Sequence, residues 1–152
     1  MRRKIDVDHK DLRILAILQG DGRASYAEIA KDLDMSEAAV YSRIQKLLKN
    51  HVIKKIQAIL DPEKLGYNVT AFIAVTAQPA KYTKVLEDLS KISEVLEVHD
   101  VTGQHYCLVK VRTKDKEELA KILDKIGALD GIISTETRIV LRTIKESYDL
   151  PI

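Results

Sequence analysis

Apolar residues recur at helical spacing through the first third of the chain and change to strand-like runs further on, so two kinds of architecture are predicted in succession. Asp8 can cap a first helix in which Leu12, Leu15 and Leu18 share a face, widened by Ile14 and Ile17, and Asp21-Gly22 ends it. Ser25 and Glu28 have the spacing of a capping box, where hydroxyl and carboxylate each satisfy a backbone N–H at the helix start. The second helix turns Ile29, Ala30 and Leu33 inward. Only Asp34-Met35 separates it from Ser36, the cap of a third helix over residues 36–50 whose Val40, Ile44, Leu47 and Leu48 fall on one face. Two short helices joined so tightly, with the first helix bracing them, form a helix-turn-helix pattern.

Residues 51–60 place Val52, Ile56, Ala58 and Leu60 on one side and Lys55 and Gln57 on the other, which predicts a linking strand closed by Asp61-Pro62 and Leu65-Gly66. Beyond it the pattern predicts strand 69–77, helix 81–92, strand 95–101, a turn at Thr102-Gly103, strand 106–112, helix 115–126 and strand 132–145. The order βαββαβ is the ferredoxin-like arrangement, an antiparallel sheet with both helices on one face, and the fold class is α+β. Phe72, Ile73, Val75, Val109, Val111, Val140 and Leu141 suggest strands apolar on both sides, so the uncovered face is expected to meet a second copy of the chain. The expected division is a helix-turn-helix (winged-helix-like) domain over 1–52, a linker strand and turn over 53–67, and a ferredoxin-like oligomerisation domain over 68–152.

Charge sharpens this picture. The net formal charge of +2 announces nothing by itself, but residues 1–61 carry a net +3 and the remainder −1. Between Arg43 and Lys55 there are five cations and no acid. The outer face of the third helix carries Ala38, Ser42, Gln45, Lys46 and Lys49, with Glu37, Tyr41 and Arg43 at its margins. Small residues that allow close approach, mixed with hydrogen-bonding groups and cations, suit the major groove of double-stranded DNA. A solvated amphipathic helix is the alternative. Cys107 is the one cysteine and sits in an apolar run, as a buried structural thiol would. No apolar stretch approaches the roughly 20 residues that span a membrane, and the start MRRKIDVDHK, with its basic tip Arg2, Arg3 and Lys4, lacks a signal-peptide core. A cytoplasmic protein is expected. No Ser/His/Asp set, Gly-rich phosphate loop or metal-ligand spacing stands out, and neither an enzymatic activity nor a cofactor is expected.

Asp8, Ile14-Leu15, Leu18, Asp21-Gly22-Arg23-Ala24-Ser25, Glu28-Ile29-Ala30, Leu33, Ser36, Val40, Arg43-Ile44, Leu47 and Val52-Ile53 together resemble the Lrp/AsnC (feast/famine) family of transcriptional regulators, and the resemblance runs on through nearly the whole chain. It implies that residues 36–50 are a recognition helix. Ser36, Ala38, Ser42 and Gln45 would face bases, Arg23, Ser25, Arg43 and Lys46 would hold phosphates, and Glu37, Tyr41 and Lys49 complete the surface. Two residues have plain alternatives: Arg43 could pair with an acid of the first helix, and Tyr41 could be a packing residue at the helix edge. Where the family commonly has Gly in the turn, this chain has Asp34, a residue that tolerates the left-handed conformation.

The resemblance further implies a homodimer, or an octamer built as a ring of dimers, in which the linker strand pairs with its copy. Two recognition helices about 34 Å apart would then favour a roughly palindromic site. It also implies an amino acid or other small metabolite as effector, bound by the loop after the second strand of the second domain and the last strand of a neighbouring subunit. Here these are Thr102, Gly103, Gln104, His105 and Tyr106, with Ser134, Thr135, Glu136 and Thr137. The family's loop commonly ends on Asp, where this chain has Tyr106; an ammonium group buried without a counter-charge is costly, and Glu136 could replace the missing acid. Two other readings remain. One is an architectural DNA binder indifferent to sequence. The other is an enzyme similar to the sirohaem decarboxylases, which share the two-part fold; its candidate groups are His99, His105, Arg112 and Arg138.

Overall fold

A computed structural model describes residues 6–152, so the basic tip Arg2, Arg3 and Lys4 lies outside the described residues. The chain divides into two compact units, one formed by the described residues up to Leu60 together with Glu146–Ile152, the other by Asp61–Lys145.

Three helices build the first unit: α1 (His9–Gly20), α2 (Tyr26–Leu33) and α3 (Glu37–Lys49). Each starts on the residue whose side chain can satisfy its free backbone N–H groups. Asp8 accepts from Asp11 N while Asp11 accepts from Asp8 N; Ser25 and Glu28 close the same reciprocal box; Ser36 accepts from Ala39 N. Ile14, Ile29, Ala30, Val40, Ile44, Leu47 and Ile53 form the buried core where the three helices meet. Leu12, expected on the inner face, is 39% exposed, and Asp11 takes the buried position instead at 3%. That exchange follows from Arg43, which reaches Asp11 from α3 and neutralises it.

The turn between α2 and α3 places Asp34 in the left-handed region at φ 49°, ψ 58°. Its N–H still reaches Ala30 O, so the residue costs only local backbone strain. Asp34→Gly is therefore expected to stabilise the unit by about 0.5 kcal/mol, the relief of that strain less the added freedom of the unfolded chain, read as a rise in denaturation midpoint at constant m-value.

Residues 54–60 differ from expectation. They are exposed but form no ladder, because no strand of the same chain runs beside them; Ile56, Ile59 and Leu60 are left uncovered. The last seven residues, grouped by sequence with the second domain, pack in the helical unit. The Gln19 carboxamide, near the end of α1, accepts from Leu150 N at 2.7 Å and donates to Leu150 O at 3.1 Å, in the manner of a peptide group.

The second unit contains β1 (Val69–Ala77), α4 (Tyr82–Ser90), β2 (Val95–Asp100), β3 (Cys107–Thr113), α5 (Lys116–Gly127) and β4 (Ile132–Ile139). The sheet order is β2-β3-β1-β4, antiparallel throughout, with β1 and β3 in the middle. The register sets Ile73 opposite Val109 and Ala71 opposite Val111, and these residues, with Val75 and Cys107, pack with Val85 and Leu89 of α4 and Leu119, Ile122 and Ile126 of α5.

The period of two corrects the expectation of a sheet apolar on both sides. Ile73, Val75, Val109 and Val111 all point to the helices, and the open face is mixed: Phe72 and Leu108 stand among Thr70, Lys110 and Arg112. Lys110, only 7% exposed, meets Glu97 Oε1 at 3.2 Å. Strand β4 also stops earlier than expected. It is paired to β1, whose first residue is Val69, and after Val140 N donates to Thr70 O no partner backbone remains, so Leu141 is 95% exposed.

Cys107 lies wholly inside, and burial pushes its thiol up to about 11. Since the thiolate is the reactive form, iodoacetamide at about pH 7.5 should leave Cys107 unmodified in the native protein and alkylate it completely in guanidinium chloride, as counted by mass spectrometry.

Candidate functional site

On α3, Ala38, Ser42, Gln45, Lys46 and Lys49 lie on the outer side, as do Ser36, Glu37 and Tyr41 at its start and margin. Among the described residues no side chain engages Ser42, Gln45, Lys46 or Lys49, so a surface of hydrogen-bonding groups and cations faces solvent on a helix fixed from behind by Val40, Ile44 and Leu47.

Arg43 takes the second of the two roles open to it. Its Nη1 lies 2.7 Å from Asp8 Oδ2 and 2.7 Å from Asp11 Oδ1, tying α3 to the first turn of α1. The Asp11 backbone N–H and the Arg43 guanidinium hold the Asp8 carboxyl below the usual carboxylate range; the two acids in turn hold Arg43 further toward its charged form. Ser25 is likewise engaged. Its hydroxyl donates to Glu28 Oε2 at 2.7 Å and accepts from Glu28 N, and the Ser25 N–H and hydroxyl lower the Glu28 carboxyl. Arg23 is exposed beside it. Sequence reasoning missed Tyr26, whose ring meets Tyr41 edge to face with centroids 5.7 Å apart. The signal available was an aromatic residue directly after a capping serine.

In the second unit, Thr102, Gly103 and Gln104 project into solvent between β2 and β3, with Gly103 at φ 122°, a conformation side chains rarely adopt. His105 turns back over the sheet. Its Nδ1 is 3.1 Å from Thr76 Oγ1 and its Nε2 3.1 Å from Glu136 Oε2, which joins the loop to β4 within one chain. Glu136 also accepts from Arg138 Nε at 2.9 Å, and Arg138 first, then His105, lowers its carboxyl. Ser134 and Thr135 are exposed along the same strand, and Thr137 near its end is half-buried. Tyr106, in the place of the expected acid, sets its ring against Tyr82 at 5.7 Å. The Tyr82 hydroxyl lies 2.8 Å from both Asp100 Oδ1 and Tyr106 O, and burial and Asp100 raise its phenol above the ordinary range. Thr76 is thus a neighbour of the loop that its linear sequence did not reveal.

The four groups weighed for an enzyme do not assemble. His105 and Arg138 share Glu136, whereas His99 bonds Glu97 at 3.0 Å and Arg112 donates to Thr70 Oγ1. Among the described residues no cluster of three or more His, Cys, Asp or Glu side chains is arranged to hold a metal ion, and no helix is long and apolar enough to cross a membrane.

Comparison with known proteins agrees with this geometry. The AsnC-type helix-turn-helix domain model matches residues 7–48, and the Lrp/AsnC ligand binding domain model matches residues 70–150. The chain is 45% identical over 149 residues to the HTH-type transcriptional regulator FL11 of Pyrococcus horikoshii, covering 98% of this chain and 99% of that one. The structure of AsnC from E. coli superposes with a TM-score of 0.87 at 32% identity, over 93% of this chain and 97% of that chain. A feast or famine regulatory protein from M. tuberculosis, complexed with L-methionine, superposes with a TM-score of 0.89 at 27% identity, over 95% and 99%. The relatives are named as transcriptional regulators, and with one domain model on each unit this chain belongs to the Lrp/AsnC family of transcriptional regulators.

Proposed function

We propose that the protein acts in the cytoplasm as a sequence-specific regulator, without catalytic activity, that lays α3 in the major groove of double-stranded DNA. The observation that carries this is the outer face of α3, where Ser42, Gln45, Lys46 and Lys49 have no partner among the described residues while the helix behind them is rigidly packed. Ser36, Ala38, Ser42 and Gln45 take the base edges, Lys46, Lys49 and Arg23 the phosphates, and Glu37 and Tyr41 border the contact. Arg43 serves in this reading as the brace that sets α3 on α1, and Ser25 as a cap. Selection from a random duplex pool tests it: one enriched duplex should survive excess random competitor, whereas equal loss of all duplexes points to an architectural binder and no retention at all refutes DNA binding.

The active form in this proposal is a homodimer, with octamers as the larger assembly. Support comes from the exposed Ile56, Ile59 and Leu60 on a segment that joins no sheet within the chain, and from the half-covered Phe72 and Leu108 on the open sheet face. An effector, an amino acid or other small metabolite, would bind at Thr102, Gly103, Gln104 and His105 with Ser134, Thr135, Glu136 and Thr137, and the relatives in complex with L-methionine support that class. It would act by shifting the assembly equilibrium through its differential affinity for the two states. Titration calorimetry with each proteinogenic amino acid tests this part, and heat from none of them would remove the amino-acid effector.

A further inference from the structure

Two tyrosines meet where α2 begins and α3 presents its exposed side. Tyr26 follows the Ser25 cap, Tyr41 lies in the second turn of α3, and their ring planes cross at 67°. Such pairs ordinarily form where both rings are buried. Here both are exposed, Tyr41 at 51%, and neither hydroxyl has a partner among the described residues. The contact stands outside the core, with the Tyr26 ring set edge to face against the Tyr41 ring.

Tyr41 neighbours Ala38 one turn before it and Gln45 one turn after it, and Ser42 follows it on the helix, so the ring borders the face proposed for base contact. Among these four side chains it alone offers a broad apolar surface. The apolar feature that bases present in the major groove is the thymine methyl group.

We propose that Tyr41 reads the 5-methyl group of a thymine and that Tyr26 is a positioning residue that holds the Tyr41 ring in the reading orientation. A ring fixed before contact loses less freedom on docking. The proposal rests on the DNA-binding function above and adds a specific base feature to it.

The test uses the full chain and the duplex it enriches from a random pool, with each thymine replaced singly by deoxyuridine, which removes only the methyl group. At one thymine per half-site the wild type should lose about 4-fold in affinity, the worth of one buried methyl group. Tyr41→Phe should keep this thymine preference and Tyr41→Ala abolish it. Tyr26→Phe should keep it and Tyr26→Ala reduce it, with circular dichroism unchanged because both side chains are exposed. An identical thymine-to-uracil ratio for wild type and Tyr41→Ala overturns the proposal while leaving DNA binding intact. Equal losses for Tyr41→Phe and Tyr41→Ala overturn it in favour of a hydroxyl contact. A chain that enriches no duplex overturns both the proposal and the function on which it rests.

Discussion

Arg43→Ala is expected to lower the stability of the helical unit by about 2–3 kcal/mol, somewhat below the cost of opening a wholly buried ion pair because solvent still reaches the guanidinium. The substitution leaves Asp11, 3% exposed, without its cation and removes the bond to Asp8. Chemical denaturation should show a lower midpoint at constant m-value, and the loss should shrink in acid. Asp8 has its folded carboxyl lowered by the Asp11 amide and by Arg43, so its contribution is complete above the unfolded value of about 4 and disappears as pH falls through the folded one. The part of the gap carried by the Asp8–Arg43 bond therefore narrows between about pH 4 and the folded value of Asp8. A gap constant from about pH 7 down to about pH 2 would contradict the ion-pair account. Weakened DNA binding by this variant would follow from a loosened α3 and should be partly restored at lower temperature.

Lys46→Ala combined with Lys49→Ala should behave oppositely: stability nearly unchanged, DNA affinity strongly reduced. Both side chains are exposed and unengaged among the described residues, so their removal disturbs no packing. If each neutralises one phosphate per subunit, a dimer loses about four contacts and the slope of log affinity against log salt should fall in magnitude by about 3–4. At low salt that corresponds to a loss on the order of 10²-fold or more, shared alike by specific and random duplexes because phosphates carry no sequence information. A double variant with an unchanged slope would remove Lys46 and Lys49 from the interface.

Local chemistry makes much of the fold legible in the residues themselves. Asp8, Ser25, Ser36 and Asp115 each cap the helix they precede, and the ferredoxin-like order is readable because each helix and strand keeps its own period. The departures have a common origin in groups distant along the chain. Leu12 reads as inward-facing, and Asp11 takes the buried position, because nothing near them in sequence shows that Arg43, 32 positions away, will neutralise the acid. The apolar count of the strands suggests two greasy faces, but the antiparallel register sends Ile73, Val75, Val109 and Val111 to the same side. Residues 51–60 alternate like a strand, yet a strand needs a neighbouring backbone, which the single chain does not place there. In the candidate interface the Ser25–Glu28 box and the option of Arg43 pairing with an acid of the first helix are legible in the sequence, whereas the bond of Arg43 to both Asp8 and Asp11 at once emerges only from geometry. The effector loop shows the same limit: the link from His105 to Glu136 spans 31 positions and depends on β1 lying between them.

The clasp between Gln19 and Leu150 has a consequence for how the protein is made. As the chain leaves the ribosome, α1, α2 and α3 emerge first and can assemble their core while later segments are still being translated. The peptide that Gln19 holds lies 131 positions further on, so it is synthesised long after those helices have cleared the exit tunnel. The earliest part of the molecule to fold thus waits for one of the latest to be completed, and a nascent chain, or one clipped before Leu150, carries its reading head with that latch open.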